Sequence, residues 1–367
     1  MDTYKDLDTP ALLLDREKLM RNIQFVQAYA DQYKVSLRPH TKTHKMPYLA
    51  KLQVEAGAGG ITVAKVGEAE VMAKAGIKDI FIANEIVGKQ KLKRIKKLSK
   101  EINISFGVDS IEHVKTIEDI FDKENKAEIL IEIEVGDKRT GIIRKKDFLD
   151  LVKYIKTCKN IRLKGIFSHE GHTYAVKNLD ELKEAFFESQ KKTLSFAKLS
   201  EDLGEKLEVV SIGATPPTIH RLPILEGVTE IRPGTYILMD MGQANALGSH
   251  DRCAATILST IISKPTSERV VTDVGAKGLT MQKRDKGICA TKGLGYIKDY
   301  SVYIDKLNDE HAIIYDKEFN RQVKIGDKVE IIPNHICPVC NLYDRAYLVS
   351  DGKVIKRIEI SCRGKMT

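Results

Sequence analysis

The sequence has few of the features that mark secreted or membrane proteins. No apolar run approaches the roughly 20 residues that a membrane-spanning helix needs. The N-terminus lacks a positively charged region followed by an apolar stretch, so nothing in it indicates export. Six cysteines are too sparse over 367 residues for a disulfide framework, and we expect reduced thiols or metal ligands. These absences predict a cytoplasmic protein that binds no membrane.

The chain also lacks internal repeats and low-complexity linkers. Its length allows two domains, and 42% hydrophobic with 30% charged residues is ordinary globular composition. The net charge of +9 includes a basic segment at residues 88–98. There Leu92, Ile95 and Leu98 recur at three-residue spacing, and no aromatic residue is interleaved. This pattern predicts an amphipathic helix with a solvated lysine face, and no nucleic-acid partner.

Strand-like and helix-like runs alternate through the first 240 residues. The strand-like runs are residues 35–38, 60–63, 79–84, 104–108, 127–135, 163–167, 207–212 and 228–232. The helix-like segments between them include residues 66–75, 89–100, 111–121, 147–158 and 179–203. Eight strands alternating with helices predict a TIM-like (βα)8 barrel, in which the chemistry belongs at the C-terminal strand ends.

The pattern changes after about residue 240. Short β-like runs then follow one another with no long helix between them, at residues 256–263, 269–273, 298–304, 311–315, 328–332 and 346–350. They predict an antiparallel β domain. We place the barrel at residues 10–240 and the β domain at residues 241–367, together with residues 1–9.

A cationic turn follows the first strand-like run. The segment RPHTKTHK at residues 38–45 places Lys42 among an arginine, two histidines and a second lysine. Such a field lowers the pKa of an ammonium group and favours the neutral, nucleophilic amine that Schiff-base chemistry requires. The alternative is a solvated basic turn without function.

Three more segments with polar or small residues fall at predicted strand ends, at residues 134–141, 167–174 and 211–218. The last, SIGATPPT, has the composition of a phosphate cradle, because small residues let backbone N–H groups approach an anion. An ordinary turn is the alternative. A lysine after the first strand and a phosphate cradle after the seventh are the two ends of a pyridoxal phosphate site.

These motifs resemble those of the fold-type III pyridoxal-phosphate enzymes, and within them the D-serine dehydratase and D-threonine aldolase family. The resemblance runs from the segment DTPA at residues 8–11 to the C-terminal β domain, and RPHxKTHK is its most specific motif. It implies an alanine-racemase-like barrel with Lys42, rather than Lys45, as the Schiff-base lysine. It further implies a phosphate site and cofactor neighbours, namely Gly213, Ala214, Thr215, Tyr236, His40, Arg139, His169 and Tyr174. His169 as a core histidine and Tyr236 as barrel packing remain alternatives.

A second signal is PNHICPVCN at residues 333–341. In an extended loop, His335 and Cys337 can face the same way and suit Zn²⁺ or another divalent metal. The alternative is a closed structural zinc site that adds Cys340 and Cys362. The resemblance implies that His335 and Cys337 are the metal pair, with positions open for water and substrate. Cys340 departs from the family pattern, which has a small hydroxyl residue there.

The resemblance implies a lyase that acts on D-β-hydroxy-amino acids. Because dehydratases of the family have cysteine two residues after the metal histidine and aldolases usually have aspartate, Cys337 favours D-serine dehydratase, which forms pyruvate and ammonia. The alternatives are D-threonine aldolase, D-3-hydroxyaspartate aldolase and, remotely, an amino-acid racemase; a non-catalytic cofactor carrier would lack the β domain. A symmetric homodimer is expected, in which one β domain helps to cover the partner's polar barrel mouth at His40, His44, Arg139 and His169.

Overall fold

Two β-sheets organise the chain in the computed structural model, which describes residues 3–367. Met1 and Asp2, which the sequence assigns to the second domain, lie outside the described residues. The first strand, β1 (Ala11–Asp15), pairs with the second sheet, and helix α1 (Arg16–Gln32) then leads into the barrel. The Asp15 side chain caps α1 by accepting a hydrogen bond from the Lys18 amide at 2.9 Å.

The next eight strands are parallel and form the barrel. They are β2 (Ser36–Leu37), β3 (Ile61–Val63), β4 (Asp79–Glu85), β5 (Asn103–Val108), β6 (Ala127–Ile133), β7 (Ile161–Ser168), β8 (Val209–Ile212) and β9 (Glu230–Ile231). Each pairs with its neighbour in sequence, β9 returns to β2, and a parallel bridge between His40 and Thr62 joins β2 to β3. The predicted eight-stranded barrel is confirmed, and all its C-terminal strand ends meet at one face.

Helices cover the outside of these strands. They are α2 (Pro47–Glu55), α3 (Val66–Lys74), α4 (Lys89–Leu98), α5 (Ile111–Glu118), α6 (Lys145–Thr157), α7 (Leu179–Asp202) and α8 (Thr215–Ile219). In the basic helix α4, Leu92 and Ile95 are buried against the sheet, as the three-residue spacing predicts. Within the described residues, no helix has both the length and the apolar character needed to cross a membrane.

The second sheet contains ten strands. Besides β1 they are β10 (Ala255–Ser263), β11 (Arg269–Thr272), β12 (Tyr296–Ile297), β13 (Val302–Tyr303), β14 (Lys306–Leu307), β15 (Ala312–Tyr315), β16 (Lys328–Ile332), β17 (Arg345–Ser350) and β18 (Lys353–Glu359). Four short helices interrupt this half, namely α9 (Met241–Leu247), α10 (Ala276–Leu279), α11 (Lys317–Gln322) and α12 (Ile336–Cys340).

Three features of this half differ from the expectation. Strand β1 was placed in the barrel, but it pairs antiparallel with β10 and parallel with β17, so the sheet is mixed rather than purely antiparallel. Strand β18 was not predicted, because its alternation is hidden by exposed lysine and arginine residues on an edge strand. Apart from β1, the domain boundaries at residues 10 and 240 remain a prediction.

Candidate active site

A cavity of about 280 Å³ opens at the C-terminal ends of the barrel strands. Eight of the residues named from the sequence line it, namely His40, Lys42, Arg139, His169, Tyr174, Gly213, Ala214 and Thr215. They come from loops after β2, β6, β7 and β8, so the parallel order of the strands brings together residues that are more than 170 positions apart. The location is the one that barrel topology dictates for a functional site.

Lys42 lies in the 3₁₀ helix Thr41–Thr43 that follows β2. Burial lowers the pKa of Lys42, and the Arg139 and Arg232 guanidinium groups act in the same direction, against Cys337 and Glu68. The side chain is therefore biased toward the neutral amine. Lys45, by contrast, forms a buried 2.8 Å ion pair with Glu68 and does not line the cavity.

His169 has one ring nitrogen committed to the backbone. Its Nδ1 lies 2.7 Å from the Gly213 carbonyl oxygen. Because a carbonyl can only accept a hydrogen bond, Nδ1 carries the proton and donates it to this bond. Burial, followed by the charges of Lys42 and Arg139, lowers the pKa of His169 to about 3. The ring is consequently neutral at physiological pH, and its Nε2 is an acceptor.

Gly213 is held from both sides. Its N–H donates to the fully buried Glu170 carboxylate at 2.7 Å, and Ser168 donates to the other carboxylate oxygen at the same distance. A Cβ at Gly213 would lie 2.9 Å from the Arg232 Cβ, so glycine is required by this close approach. Because the Gly213 N–H already donates to Glu170, this residue shapes the cradle in this structure, and its expected part in the phosphate site stays a prediction.

The remaining cradle residues fit a phosphate group. The Thr215 N–H donates a 3.2 Å hydrogen bond to the Tyr174 hydroxyl, and an anion in the cavity could replace that hydroxyl as the acceptor. The Thr215 hydroxyl is buried without a hydrogen-bond partner. Buried polar atoms are rarely left unsatisfied, so an orphaned hydroxyl in a lined cavity indicates a missing ligand atom. Ala214 is the residue immediately before α8, so its backbone N–H lies next to that of Thr215. Helix α8 has prolines in its first turn.

Arg232 forms part of the cavity wall, although the sequence predicted only Tyr236 from this segment. The Arg232 guanidinium donates to the Ser168 carbonyl at 2.6 Å and to the Ser211 hydroxyl. It also lies over the Phe167 ring, 5.3 Å from its centroid. A buried cation with fixed partners is rigid, so it offers a preorganised charge to an anionic ligand.

The pair from the β domain meets the lysine end of the cavity. Cys337 lies in the first turn of α12, not in an extended loop, and its thiol donates to the Thr43 hydroxyl at 3.3 Å. The His335 Nδ1 lies 2.9 Å from Gln282 Oε1, which accepts a hydrogen bond from it. Because Nδ1 then carries the ring proton, Nε2 has a lone pair available for a metal. Burial raises the pKa of Cys337, with Asp240 acting in the same sense. An imidazole and a thiol with few other commitments suit a divalent metal.

The alternative of a closed zinc site is not formed. Among residues 3–367, no group of three or more His, Cys, Asp or Glu side chains is placed to hold a metal. Cys362 instead contacts the Glu68 carbonyl, and Cys340 is buried in a hydrophobic cluster that includes residues of both the barrel and the β domain. The residues therefore fit an open site with two protein ligands.

Comparison with known proteins agrees with this geometry. A family model described as alanine racemase, N-terminal domain, matches residues 14–241, and one described as putative serine dehydratase domain matches residues 254–349. D-Threonine aldolase of Arthrobacter sp. is 30% identical over 99% of this chain and 94% of its own length. The chain belongs to the D-serine dehydratase and D-threonine aldolase family.

Other members of this family are similarly related. D-Serine dehydratase of Dictyostelium discoideum is 28% identical over 96% of both chains. The solved structure of D-threo-3-hydroxyaspartate dehydratase from Delftia sp. HT23 superposes with a TM-score of 0.90 and 26% identity, over 98% of this chain and 99% of that one. The predicted family and enzyme class, a pyridoxal-phosphate-dependent lyase acting on small amino acids, are confirmed.

Tyr236, expected as a phosphate contact, and His44, expected at the barrel mouth, do not line the cavity. Tyr236 is 1% exposed and accepts a 2.8 Å hydrogen bond from Gln53 in the core, so it does not reach the cavity. His44 is fully buried; it accepts from the Met46 amide at 3.0 Å and contacts Gln53. Both follow a functional residue closely in sequence, but the 3₁₀ turns direct their side chains inward.

Proposed function

We propose that this protein is a pyridoxal-phosphate- and divalent-metal-dependent D-serine dehydratase that works as a cytoplasmic homodimer. The observation that supports this most is the contact between Cys337 and Thr43, the residue next to Lys42. It brings the pair from the β domain to the lysine end of the barrel cavity. A site with an amine base on one side and a metal pair on the other suits removal of a β-hydroxyl group.

The cradle and the lysine are the residues that would hold the cofactor. Thr215, Ala214 and Tyr174 would bind the phosphate, and Lys42 would form the covalent link. When bound, pyridoxal phosphate supplies an electron sink for the negative charge that develops at the substrate Cα. His169, held by Gly213, fixes one wall of the cavity next to Lys42.

Lys42 is the proposed proton acceptor at the substrate Cα. A base works best when its pKa lies close to the working pH, and burial with two nearby guanidinium groups moves the pKa of Lys42 downward. His169 is a poor competitor, since a pKa of about 3 leaves it a weak base at neutral pH. The proton therefore goes to the Lys42 Nζ.

His335 and Cys337 would hold the metal, which we propose is Zn²⁺. A divalent ion there would act as a Lewis acid on the β-hydroxyl oxygen of the substrate. Support for a metal comes from a solved structure described as a mutant of D-threo-3-hydroxyaspartate dehydratase in the metal-free form. Gln282 would orient His335, and Thr43 would orient Cys337.

Two family members at 30% identity are aldolases, which keeps retro-aldol cleavage as the second candidate. An end-product assay separates the two reactions. The purified protein is given D-serine or D-threonine with and without added Zn²⁺, and keto acid plus ammonia is measured alongside glycine plus aldehyde. The proposal predicts pyruvate and ammonia from D-serine. Glycine and acetaldehyde from D-threonine, with no pyruvate from D-serine, would contradict it in favour of the aldolase.

A further inference from the structure

Two glutamates face the proposed cofactor cavity from strands β4 and β6. Glu85 ends β4 and Glu132 lies near the end of β6; both line the cavity. Glu132 is 4% exposed, and its carboxyl accepts from the Thr140 hydroxyl at 2.8 Å and from the Arg139 guanidinium at 3.4 Å. Two acidic groups on one wall are unusual in a cavity meant for an anionic cofactor, so their protonation state matters.

The placement of the two carboxyl groups favours a proton between them. Glu85 and Glu132 line the same cavity and disfavour each other's ionisation, and two ionised carboxylates cannot donate a hydrogen bond to each other. The Glu85 Oε1 is shielded from solvent and has no partner unless a carboxyl proton supplies one. The two observations are independent and have the same solution, a proton retained on the pair.

The surroundings of the pair favour this state. Facing Glu85 are Glu132 and, from the end of β5, Asp109, both of which disfavour a second negative charge. Facing Glu132 are two cations, Arg139 and the buried Arg232. Burial, followed by the contact with Glu132, raises the pKa of Glu85 to about 9. With one proton retained, the two carboxyl groups carry one negative charge between them, and Arg139 and Arg232 balance it.

We propose that Glu85 and Glu132 share one proton and act together as positioning residues that hold Arg139 at the cavity beside Lys42. This rests on the proposed function only in treating Arg139 as a neighbour of the cofactor. The Arg139 side chain is 52% exposed, and its contact with the buried Glu132 carboxylate, at 3.4 Å, is closer than its 3.7 Å ion pair with Asp137. Loss of the shared proton would add a second negative charge to the cavity wall next to Arg139.

The first test detects the proton directly in the full-length protein. Infrared spectra of protein with ¹³C-labelled glutamate are recorded from pH 6 to 10.5, for the wild type and for Glu85→Gln. The difference between the two isolates Glu85 from Glu170, whose buried carboxyl also has a raised pKa. The expected result is a protonated-carboxyl band in the difference spectrum at pH 7 that is lost with a midpoint near pH 9. A difference spectrum without such a band would overturn the shared proton.

The second test asks whether Glu132 acts through Arg139. The affinity for pyridoxal phosphate is titrated for Glu132→Gln, Arg139→Met and the double variant, with circular dichroism to verify folding. A charge-assisted contact is worth about 1.5–3 kcal/mol, so each variant should weaken binding by about tenfold or more. The double variant should bind no more weakly than Arg139→Met. Multiplicative losses would refute the positioning role.

The two tests fail separately from the proposed function. A wild type that binds no cofactor refutes the proposed function and, with it, the positioning role of the pair. The infrared band does not depend on cofactor or turnover, so it still decides whether the proton is shared. A wild type that binds cofactor and cleaves D-threonine, with a non-additive cycle, refutes only the dehydratase assignment.

Discussion

The Glu170 carboxylate supports the cradle from behind, and its removal gives a calculable result. It accepts hydrogen bonds of 2.7 Å from the Gly213 N–H and from the Ser168 hydroxyl, and the side chain is fully buried. In Glu170→Ala both donors lose their acceptor. A buried donor without a partner costs about 1–3 kcal/mol. The Ser168 hydroxyl can rotate, whereas the backbone N–H of Gly213 cannot.

We therefore expect Glu170→Ala to lower the free energy of unfolding by about 2–4 kcal/mol, near the lower end of the summed cost of two such donors. Cofactor affinity should fall in parallel, because the Gly213 peptide also fixes His169. Glu170→Gln keeps one acceptor oxygen and should lose less than the alanine variant. Urea unfolding and titration with pyridoxal phosphate measure the two effects.

Glu184→Ala is a suitable control, since Glu184 is exposed on the same segment of chain. Surface changes of this kind usually stay within about 0.5 kcal/mol of the wild type. If Glu170→Ala is as stable as this control and binds cofactor normally, the account of the cradle is wrong. An equal loss of stability in Glu184→Ala and Glu170→Ala would also contradict it, because the loss would then not depend on the buried hydrogen bonds of Glu170.

Three further predictions follow from the site and its surroundings. Chelation should abolish turnover but leave the melting temperature within a few degrees, because an open pair, His335 and Cys337, closes no structural site; a collapse of thermal stability would instead indicate a closed site. Burial lowers the pKa of His44 to about 4 in the folded protein, whereas an unfolded histidine has a pKa of about 6.5. Between these two pH values only the unfolded state binds a proton at this residue. Stability is therefore lost as pH falls through this window, and His44→Gln should flatten the slope by up to about 1.4 kcal/mol per pH unit, measured by urea titration at several pH values; an unchanged slope would contradict it. Sedimentation at micromolar concentration should show a dimer, and a fully active monomer would refute the assembly proposal.

The sequence was most informative where function follows a strand directly. Lys42, His169 and Thr215 each lie within a few residues of the end of a barrel strand, so strand periodicity and barrel topology together place them in one cavity. The distinction between Lys42 and Lys45 came from the family motif. The structure supplies its physical basis, because Lys45 is occupied by Glu68.

Other assignments needed three-dimensional information. Tyr236 lies next to cavity residues in sequence, but a single 3₁₀ turn sends its side chain into the core. Strand β1 pairs with β17, more than 300 residues away, and no local pattern encodes such a contact. Glu132 was overlooked although it interrupts an apolar strand, a signal that an inward-facing acid has a partner.

Covalent trapping identifies the lysine that binds the cofactor. The purified protein is incubated with pyridoxal phosphate, reduced with borohydride, digested and analysed by mass spectrometry, in the wild type, Lys42→Ala and Lys45→Met. The account predicts a yellow wild type whose reduced cofactor is attached to Lys42. It also predicts that this label is absent in Lys42→Ala and retained in Lys45→Met. A label on Lys45, or a label that persists at this turn in Lys42→Ala, would contradict the assignment of the lysine on which the proposed chemistry depends.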